Sequence, residues 1–162
     1  MARTTNLNSL VGLSQALINL RVLTPEISDE IGQTLVYMIR TRTRLGFGVD
    51  KNGGAKQKFK PLRPSTITHR QWLKSRGLLS PLATPAKATM TRFGDMMDDL
   101  TYDKAPQRVT ILFSETREAL KAYYNSKLGR PFMFLTDKET KAARNLVQQA
   151  IDAYVDSVAA SM

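Results

Sequence analysis

The regular hydrophobic spacing of this 162-residue chain stops at Gly46 and resumes at Met90. The first part of the interruption, residues 46–61, has no hydrophobic period and is rich in glycine and lysine, which is typical of a loop or a hairpin arm. Loops longer than about 12–15 residues inside a compact domain are uncommon and tend to be functional or disordered. We therefore predict a single domain over residues 1–162, with residues 46–89 inserted as an extended arm.

Positive charge is concentrated in the same region. Residues 40–92 hold thirteen basic residues against one acid, a net of +12, whereas residues 1–39 and residues 93–162 each have a net of −1, which brings the total to +10. A charge this one-sided attracts nucleic acid or an acidic protein surface. The candidate residues for contact with DNA or a partner protein are Arg40, Arg42, Arg44, Lys56, Lys58, Lys60, Arg63 and Arg70.

Within this region, Lys56, Lys58 and Lys60 alternate with Gln57 and Phe59. In an extended strand the three lysines share one face and Phe59 lies on the other. The lysines would then face DNA or an acidic ring, while Phe59 anchors the arm against a neighbouring subunit. The alternative is a solvated, mobile loop.

Aromatic residues are the candidates for a subunit interface. Three of them are interleaved with the basic residues of the arm. Two more belong to a strand predicted at residues 131–135, where side chains point alternately, so at least one must leave the sheet core or be covered by a partner. The alternative for this pair is a place in the core. The candidate interface residues are Phe47, Phe59, Trp72, Phe132 and Phe134.

Helix signals lie on both sides of the arm. Thr24 is a good N-cap, Pro25 suits the first helical position and Gly46 is a typical stop, so a helix is predicted over residues 25–45. A capping box at residues 136–139 (Thr-Asp-Lys-Glu) opens a last helix that ends near residue 160. The buried stripes are expected to be Ile27, Ile31, Leu35, Met38 and Leu45 in the first helix and Leu146, Val147, Ala150, Ile151, Tyr154 and Val158 in the last.

Shorter elements complete the pattern, and together they indicate an α+β fold in which two long helices pack on a small antiparallel sheet, with a long basic irregular arm inserted mid-chain. Two strands are predicted at residues 100–102 and 108–113, with a turn at residues 103–106. Residues 7–20 form a helix or, alternatively, a short strand. The remaining helices are expected at residues 64–74, at residues 91–100 with Phe93, Met96, Met97 and Leu100 inward, and at residues 115–127 with Ser114 as cap and Ala119, Leu120 and Tyr123 inward.

The sequence offers little for catalysis. It has no cysteine and one histidine, His69, which excludes a thiol nucleophile and a zinc site of the usual kind. The acids Asp95, Asp98 and Asp99 stand at helical spacing and resemble a metal-binding patch, but a solvated helix face is the preferred interpretation. We predict no catalytic residue, no cofactor and no metal. No apolar run approaches the roughly 20 residues that span a bilayer, and no secretory signal is visible, so a cytoplasmic product without a membrane partner is expected.

Several segments, in order, resemble the neck and tail-completion family of tailed bacteriophages, whose members are often described as virion morphogenesis or minor tail proteins. They are residues 62–67 (Leu-Arg-Pro-Ser-Thr-Ile) with Arg70, residues 88–96 (Ala-Thr-Met-Thr-Arg-Phe-Gly-Asp-Met), residues 123–125 (Tyr-Tyr-Asn) and residues 129–136 (Gly-Arg-Pro-Phe-Met-Phe-Leu-Thr). The match in order covers roughly residues 25–160. Phe93 departs from the family pattern, which more often has threonine there.

The resemblance implies a structural virion protein without enzymatic activity. It implies a homo-oligomeric ring, hexameric or dodecameric, at the head–tail neck, between portal or adaptor proteins and the tail-tube protein. Double-stranded DNA would pass through the ring without being read by sequence. Adaptor, neck and tail terminator remain open as ring positions, and so does whether the basic arm faces DNA or an acidic neighbouring ring.

Two other classes of function remain possible for a sequence of this composition. The first is a free, sequence-nonspecific nucleic-acid-binding protein that uses residues 40–92 as an electrostatic patch, and aromatics among basic residues suit stacking on single strands. The second is a small nuclease, which would need clustered carboxylates that the sequence offers only at residues 95–99.

Overall fold

The computed structural model describes residues 24–50, 54–90, 95–105 and 108–160, and the element predicted at residues 7–20 lies outside them. These ranges form five helices and two two-stranded antiparallel sheets, which confirms the α+β class. The elements in chain order are α1 (Pro25–Arg44), β1 (Phe47–Val49), β2 (Lys56–Lys58), α2 (Pro64–Ser75), α3 (Asp95–Asp98), β3 (Leu100–Ala105), β4 (Arg108–Phe113), α4 (Thr116–Lys127) and α5 (Asp137–Ala160).

Helix α1 begins where the sequence predicts and ends one residue earlier than predicted, at Arg44. The Thr24 hydroxyl accepts a hydrogen bond from the Ile27 amide at 3.4 Å, and Pro25 occupies the first turn. Gly46 follows the helix with a φ of +88°, a conformation that glycine adopts at little cost. Leu45 is exposed, contrary to prediction, because the helix has already ended at Arg44. Ile31 and Leu35 are buried as predicted, and Ile27 and Met38 are half buried. The rest of the buried face consists of Val36, Ile39, Arg42 and Thr43, with Ser28 and Gly32.

Strands β3 and β4 form a hairpin that packs on α1, in a register from Leu100–Phe113 to Ala105–Arg108. Strand β3 is longer than predicted. Contacts with Asp29 of α1 hold the added part: Lys104 Nζ lies 2.8 Å from Asp29 Oδ1, and the Tyr102 hydroxyl donates to the same oxygen at 3.0 Å. The Tyr102 ring sits directly on Gly32, leaving no space for a Cβ atom there.

The predicted arm contains regular structure at its base. Strands β1 and β2 form a second hairpin, so the chain has two small sheets where one was predicted. Val49 and Phe59, at the two ends of this hairpin's strands, are buried, and the Val49 amide donates to the Pro131 carbonyl at 2.9 Å. Between the two strands of the hairpin, the Gly54 carbonyl accepts a hydrogen bond from the Asp137 amide at 2.9 Å. The hairpin is therefore fixed to the body of the domain.

Residues 131–135 do not form the predicted strand. Pro131 has no amide proton to donate to a sheet. The carbonyls of Phe132 and Phe134 accept hydrogen bonds from the Arg42 guanidinium rather than from a neighbouring strand. A single bridge between Gly54 and Thr136 is the only β pairing of this segment in the part of the chain that the structure describes.

The core brings together α1, α3, α4, the β3–β4 hairpin and parts of the segments 59–62, 88–90 and 132–135. Met96, Met97 and Leu100 point inward as predicted, while Phe93 lies outside the described residues. Val36 and Ile39 of α1, together with Phe59, Ala88 and Phe132, pack with them. The end of the 46–89 insertion therefore contributes to the interior.

Helix α4 packs on a different face from the one predicted. Ala122 and Glu118 are buried, whereas Leu120 and Tyr123 are about half exposed, at 51% and 52%. Its N-cap is Glu115, not Ser114, and the Glu115 amide donates to the Asp99 carboxylate at 3.0 Å. The helix therefore docks through its smallest apolar side chain and leaves its large ones outside.

Helix α5 begins with the predicted capping box. The Thr136 amide donates to Glu139 Oε2 at 2.7 Å, and the Glu139 amide donates to the Thr136 hydroxyl at 3.2 Å. Further along, the predicted stripe is half buried at residues 146, 147, 150 and 151, but Tyr154 is exposed, and the side chain of Val158 is outside the described set. Among the described helices, none has the length and apolar character that crossing a membrane requires.

Candidate functional site

The basic residues of segment 40–92 fall into two environments. Eleven of the thirteen are described, since Lys51 and Arg92 lie outside. Four arginines are bonded within the chain, at positions 40, 42, 44 and 70. The other seven are exposed, and none of them makes an ion pair with another described residue. They are Lys56, Lys58, Lys60, Arg63, Lys74, Arg76 and Lys87.

Arg42 forms a buried ion pair with Glu139, whose side chains are 6% and 3% exposed. Arg42 Nε donates to Glu139 Oε1 at 2.7 Å, and Nη2 donates to the carbonyls of Phe132 and Phe134 at 3.0 and 3.1 Å. This corrects the prediction that Arg42 contacts DNA or a partner. Its charge is neutralised in the interior by Glu139, the same residue that closes the capping box of α5.

The other three arginines also serve the fold. Arg40 Nη2 donates to the carbonyls of Asp98 and Leu100 at 2.8 and 2.7 Å, and Arg44 Nη2 lies 2.6 Å from Asp98 Oδ1. Arg70 is buried, and its Nη1 donates to the Lys87 carbonyl at 2.9 Å. Burial removes Arg70 from the candidate contacts. Arg40 and Arg44 are half buried and orient the short helix α3.

Several basic residues lie on the β1–β2 hairpin and in the segment after it. Lys56, Lys58 and Lys60 are exposed and Phe59 is buried, as the alternation predicts, but Gln57, which was predicted on the same face as Phe59, is exposed as well. Arg130 joins them because its Nε donates to the Lys60 carbonyl at 3.5 Å, and the Lys60 side chain lies beside Gly129. We call this set the hairpin surface: Lys56, Lys58, Lys60, Arg63 and Arg130.

Arg130 was missed in the sequence analysis. It stands 67 positions after Arg63 in a segment of balanced charge, so charge counting gives no reason to choose it. The signal that was available is its place after Gly129 in one of the segments that carry the family resemblance. Gly129 has a φ of +79°, and this turn brings Arg130 back to the carbonyls of Lys60 and Pro61.

A second exposed surface lies on α2 and the turns that follow it. The rings of His69 and Trp72 stack with centroids 5.7 Å apart, and the Arg76 guanidinium carbon lies 5.0 Å from the centre of the Trp72 ring. Trp72 is 47% exposed. Residues 54–90 contain no acid. We call this set the tryptophan surface: Trp72, Lys74, Arg76, Leu78, Leu82 and Lys87, all of them exposed.

The aromatic interface candidates divide between core and surface. Phe59 and Phe132 are 5% and 1% exposed and belong to the core of their own chain, which corrects their assignment as interface residues. Phe47 is half buried, and the Lys56 ammonium lies 3.9 Å from its ring centre. Trp72 and Phe134 are exposed and remain candidates.

Two members of the acidic cluster are bonded within the chain. Asp98 pairs with Arg44, and Asp99 accepts the hydrogen bond from the start of α4, while the side chain of Asp95 is outside the described set. No group of three or more metal-ligating side chains occurs among the residues that the structure describes. A groove of about 360 Å³ between α1 and β3 is lined by Tyr37, Arg44 and their neighbours, none of them a carboxylate or a histidine.

One surface cluster has shifted titration. Hydrogen bonds from Lys104 and then from Tyr102 lower the pKa of the Asp29 carboxyl, and the hydrogen bond to Asp29 raises the pKa of Lys104. Both side chains are partly exposed and far from the two basic surfaces in sequence. The cluster therefore fastens β3 to α1.

No protein-family profile, curated protein or solved structure matches this chain. The functional proposal therefore rests on the two exposed surfaces, on the apolar side chains left uncovered and on the resemblance of the sequence segments.

Proposed function

We propose that this chain is a structural subunit of a homo-oligomeric ring at the head–tail junction of a tailed bacteriophage, through which double-stranded DNA passes. The observation that carries the proposal is the hairpin surface. Its cations at positions 56, 58, 60 and 63 are exposed in a segment, residues 54–90, that contains no acid, and the buried side chains of Val49 and Phe59 fix the hairpin to the domain.

The buried side chains of Val49 and Phe59 distinguish the hairpin from a solvated loop. A loop that only carries solubilising charge does not need core contacts. Cations that bind a fixed partner bind more tightly when they are already held in place, because less conformational entropy is lost on binding. Phosphate contacts by lysine and arginine are independent of base sequence. A hairpin surface that lines the lumen of a ring would let DNA pass without holding it at one register.

Uncovered apolar side chains support an assembled state. Helix α4 exposes Leu120, Tyr123, Tyr124 and Leu128, each by more than half. Tyr123 and Tyr124 contact each other edge to face with centroids 5.6 Å apart. Apolar surface of this kind marks a site of protein interaction when it forms a contiguous patch. A ring buries such surface between neighbouring subunits and against the adjoining rings.

The alternative is a free, sequence-nonspecific nucleic-acid-binding protein. The stacked rings of His69 and Trp72, beside Arg76, favour it, because bases of single strands stack on exposed aromatics next to cations. A free nucleic-acid-binding protein leaves the exposed apolar side of α4 without a role, and for that reason the ring subunit is preferred.

Quantitative mass spectrometry of purified virus particles separates the two. For a ring subunit we expect the chain in the particle, at a fixed ratio to the portal protein that matches a hexamer or a dodecamer. Absence from purified particles, combined with DNA binding by a monomer, would establish the alternative.

A further inference from the structure

The second half of α5 is uncovered in the monomer. Every residue from Asp152 to Ser157 is exposed, including Tyr154 at 39% and Val155 at 56%. The main packing partner of α5 is α1, which meets the helix before this point. We call the exposed end the α5 tip and define it as residues 152–157.

The α5 tip is both apolar and acidic. It has two acids, Asp152 and Asp156, and no basic residue. Side chains four positions apart lie on the same side of a helix, so these two carboxylates form one acidic edge, with Val155 beside it and Tyr154 on the opposite side of the helix. A partner for the tip must offer apolar area together with positive charge.

The tryptophan surface of the same chain has that composition. Trp72, Leu78 and Leu82 are exposed by about half, and they are accompanied by the three cations of that surface. Arg70 ties the end of this surface to α2 through the Lys87 carbonyl, so its parts are held together. The two patches have opposite charge and similar apolar content, and they belong to different elements.

We infer that the α5 tip of one copy docks on the tryptophan surface of the next copy. The inference deepens the proposed function and rests on it. Because the two patches differ, the contact is head to tail, and such contacts generate a ring when the rotation between neighbours closes. Pairing of two α5 tips is disfavoured, since it would bring four carboxylates together. The hairpin surface is left available for DNA.

Exchange of charge between the two patches tests the inference. The acidic-patch variant is Asp152→Lys with Asp156→Lys, and the basic-patch variant is Lys74→Glu with Arg76→Glu. In either variant alone, like charges meet at every contact, so we expect the association constant to fall by at least about a hundredfold and the protein to sediment as a monomer. A mixture of the two in equal amounts restores opposite charges at every contact and should restore the oligomer.

A matched control changes charge elsewhere on the surface. Lys138→Glu with Lys141→Glu makes the same change on exposed positions at the start of α5, and Asp103→Lys does so on β3. Both controls should keep the wild-type mass. Circular dichroism and thermal unfolding establish that each variant is folded.

Three results would overturn the inference. They are a wild type that sediments as a monomer at its highest soluble concentration, a charge reversal that leaves the oligomer intact, and a mixture that stays monomeric. Loss of the oligomer in the acidic-patch variant alone would indicate pairing of two tips. An oligomer that persists in both the acidic-patch and the basic-patch variant would indicate that residues 1–23 or another protein covers the α5 tip. None of these affects the proposed function, which fails only if the chain is absent from the head–tail junction.

Discussion

The ion pair of Arg42 with Glu139 shows how single residues decide between structure and contact. Two charges have left water, and the cost is offset by a set of hydrogen bonds to Glu139, Phe132 and Phe134. Together they connect the end of α1, the start of α5 and the segment between them. The pair therefore stabilises the fold, and Arg42 contributes nothing to the positive surface.

Replacement of Arg42 by methionine should therefore cost about 3–5 kcal/mol, because it leaves the Glu139 carboxylate buried without its partner. Urea unfolding followed by circular dichroism measures the loss. Adding Glu139→Gln to the first change should recover part of it. The control is Arg44→Met, whose pair with Asp98 is partly exposed and should be worth at most about 1 kcal/mol. Equal losses in the two single variants would contradict this assignment.

The Asp29–Lys104 cluster gives a pH dependence of known sign. The pKa of Asp29 is lowered in the folded state, so its contribution to stability is present at neutral pH and is lost as the pH falls through the lowered value. The pKa of Lys104 is raised, so its contribution is lost when the pH rises through that value. We expect Lys104→Met to lower the melting temperature slightly at neutral pH and not at all in strong acid. A deficit that persists in strong acid would show that the loss comes from packing.

At the scale of elements, the packing of β3 on α1 depends on the absence of a side chain at Gly32. The Tyr102 ring occupies the position that a Cβ atom would take. We expect Gly32→Ala to destabilise the protein by about 1–3 kcal/mol, although alanine favours the helix, since the strand must move away. In a Tyr102→Ala background the same change should be neutral or stabilising. A destabilisation of equal size in both backgrounds would indicate another cause.

Local signals predicted element boundaries well. Thr24 and Pro25 fix the start of α1, and the capping box fixes the start of α5, because each set of hydrogen bonds lies within four residues. The inner face of α4 was not predictable in this way, since α3 and β4 select it. Leu120 and Tyr123 are apolar at helical spacing, yet Ala122 and Glu118 make the contact.

The basic residues of segment 40–92 show the same limit of prediction from the sequence. Composition cannot separate the buried arginines from the exposed lysines, because Glu139 is 97 positions from Arg42 and Asp98 is 54 positions from Arg44. The alternation of Lys56, Lys58 and Lys60 was informative for Phe59, which is buried between two exposed lysines. It did not predict the exposure of Gln57.

At the scale of the whole molecule, the hairpin surface should dominate binding to DNA. Glutamate in place of Lys56, Lys58 and Lys60 should weaken binding to duplex DNA of any sequence. The slope of log K against log salt should fall by about 0.9 for each phosphate contact removed. Fluorescence anisotropy over a salt series measures both quantities.

The matched control carries the same three charge changes on α5, at Lys138, Lys141 and Arg144, which are also exposed. It should bind DNA nearly as the wild type does. If the two triple variants lose affinity equally, binding follows net charge alone and the hairpin has no special place in it.

The central claim is that the chain forms a ring on the axis between head and tail, and image reconstruction of the head–tail junction in purified particles tests it most directly. We expect density for a closed ring into which this fold fits, with the strands that bear Lys56 and Lys58 turned toward the DNA channel. A junction whose density is fully explained by other proteins, with this chain elsewhere or missing, would contradict the claim.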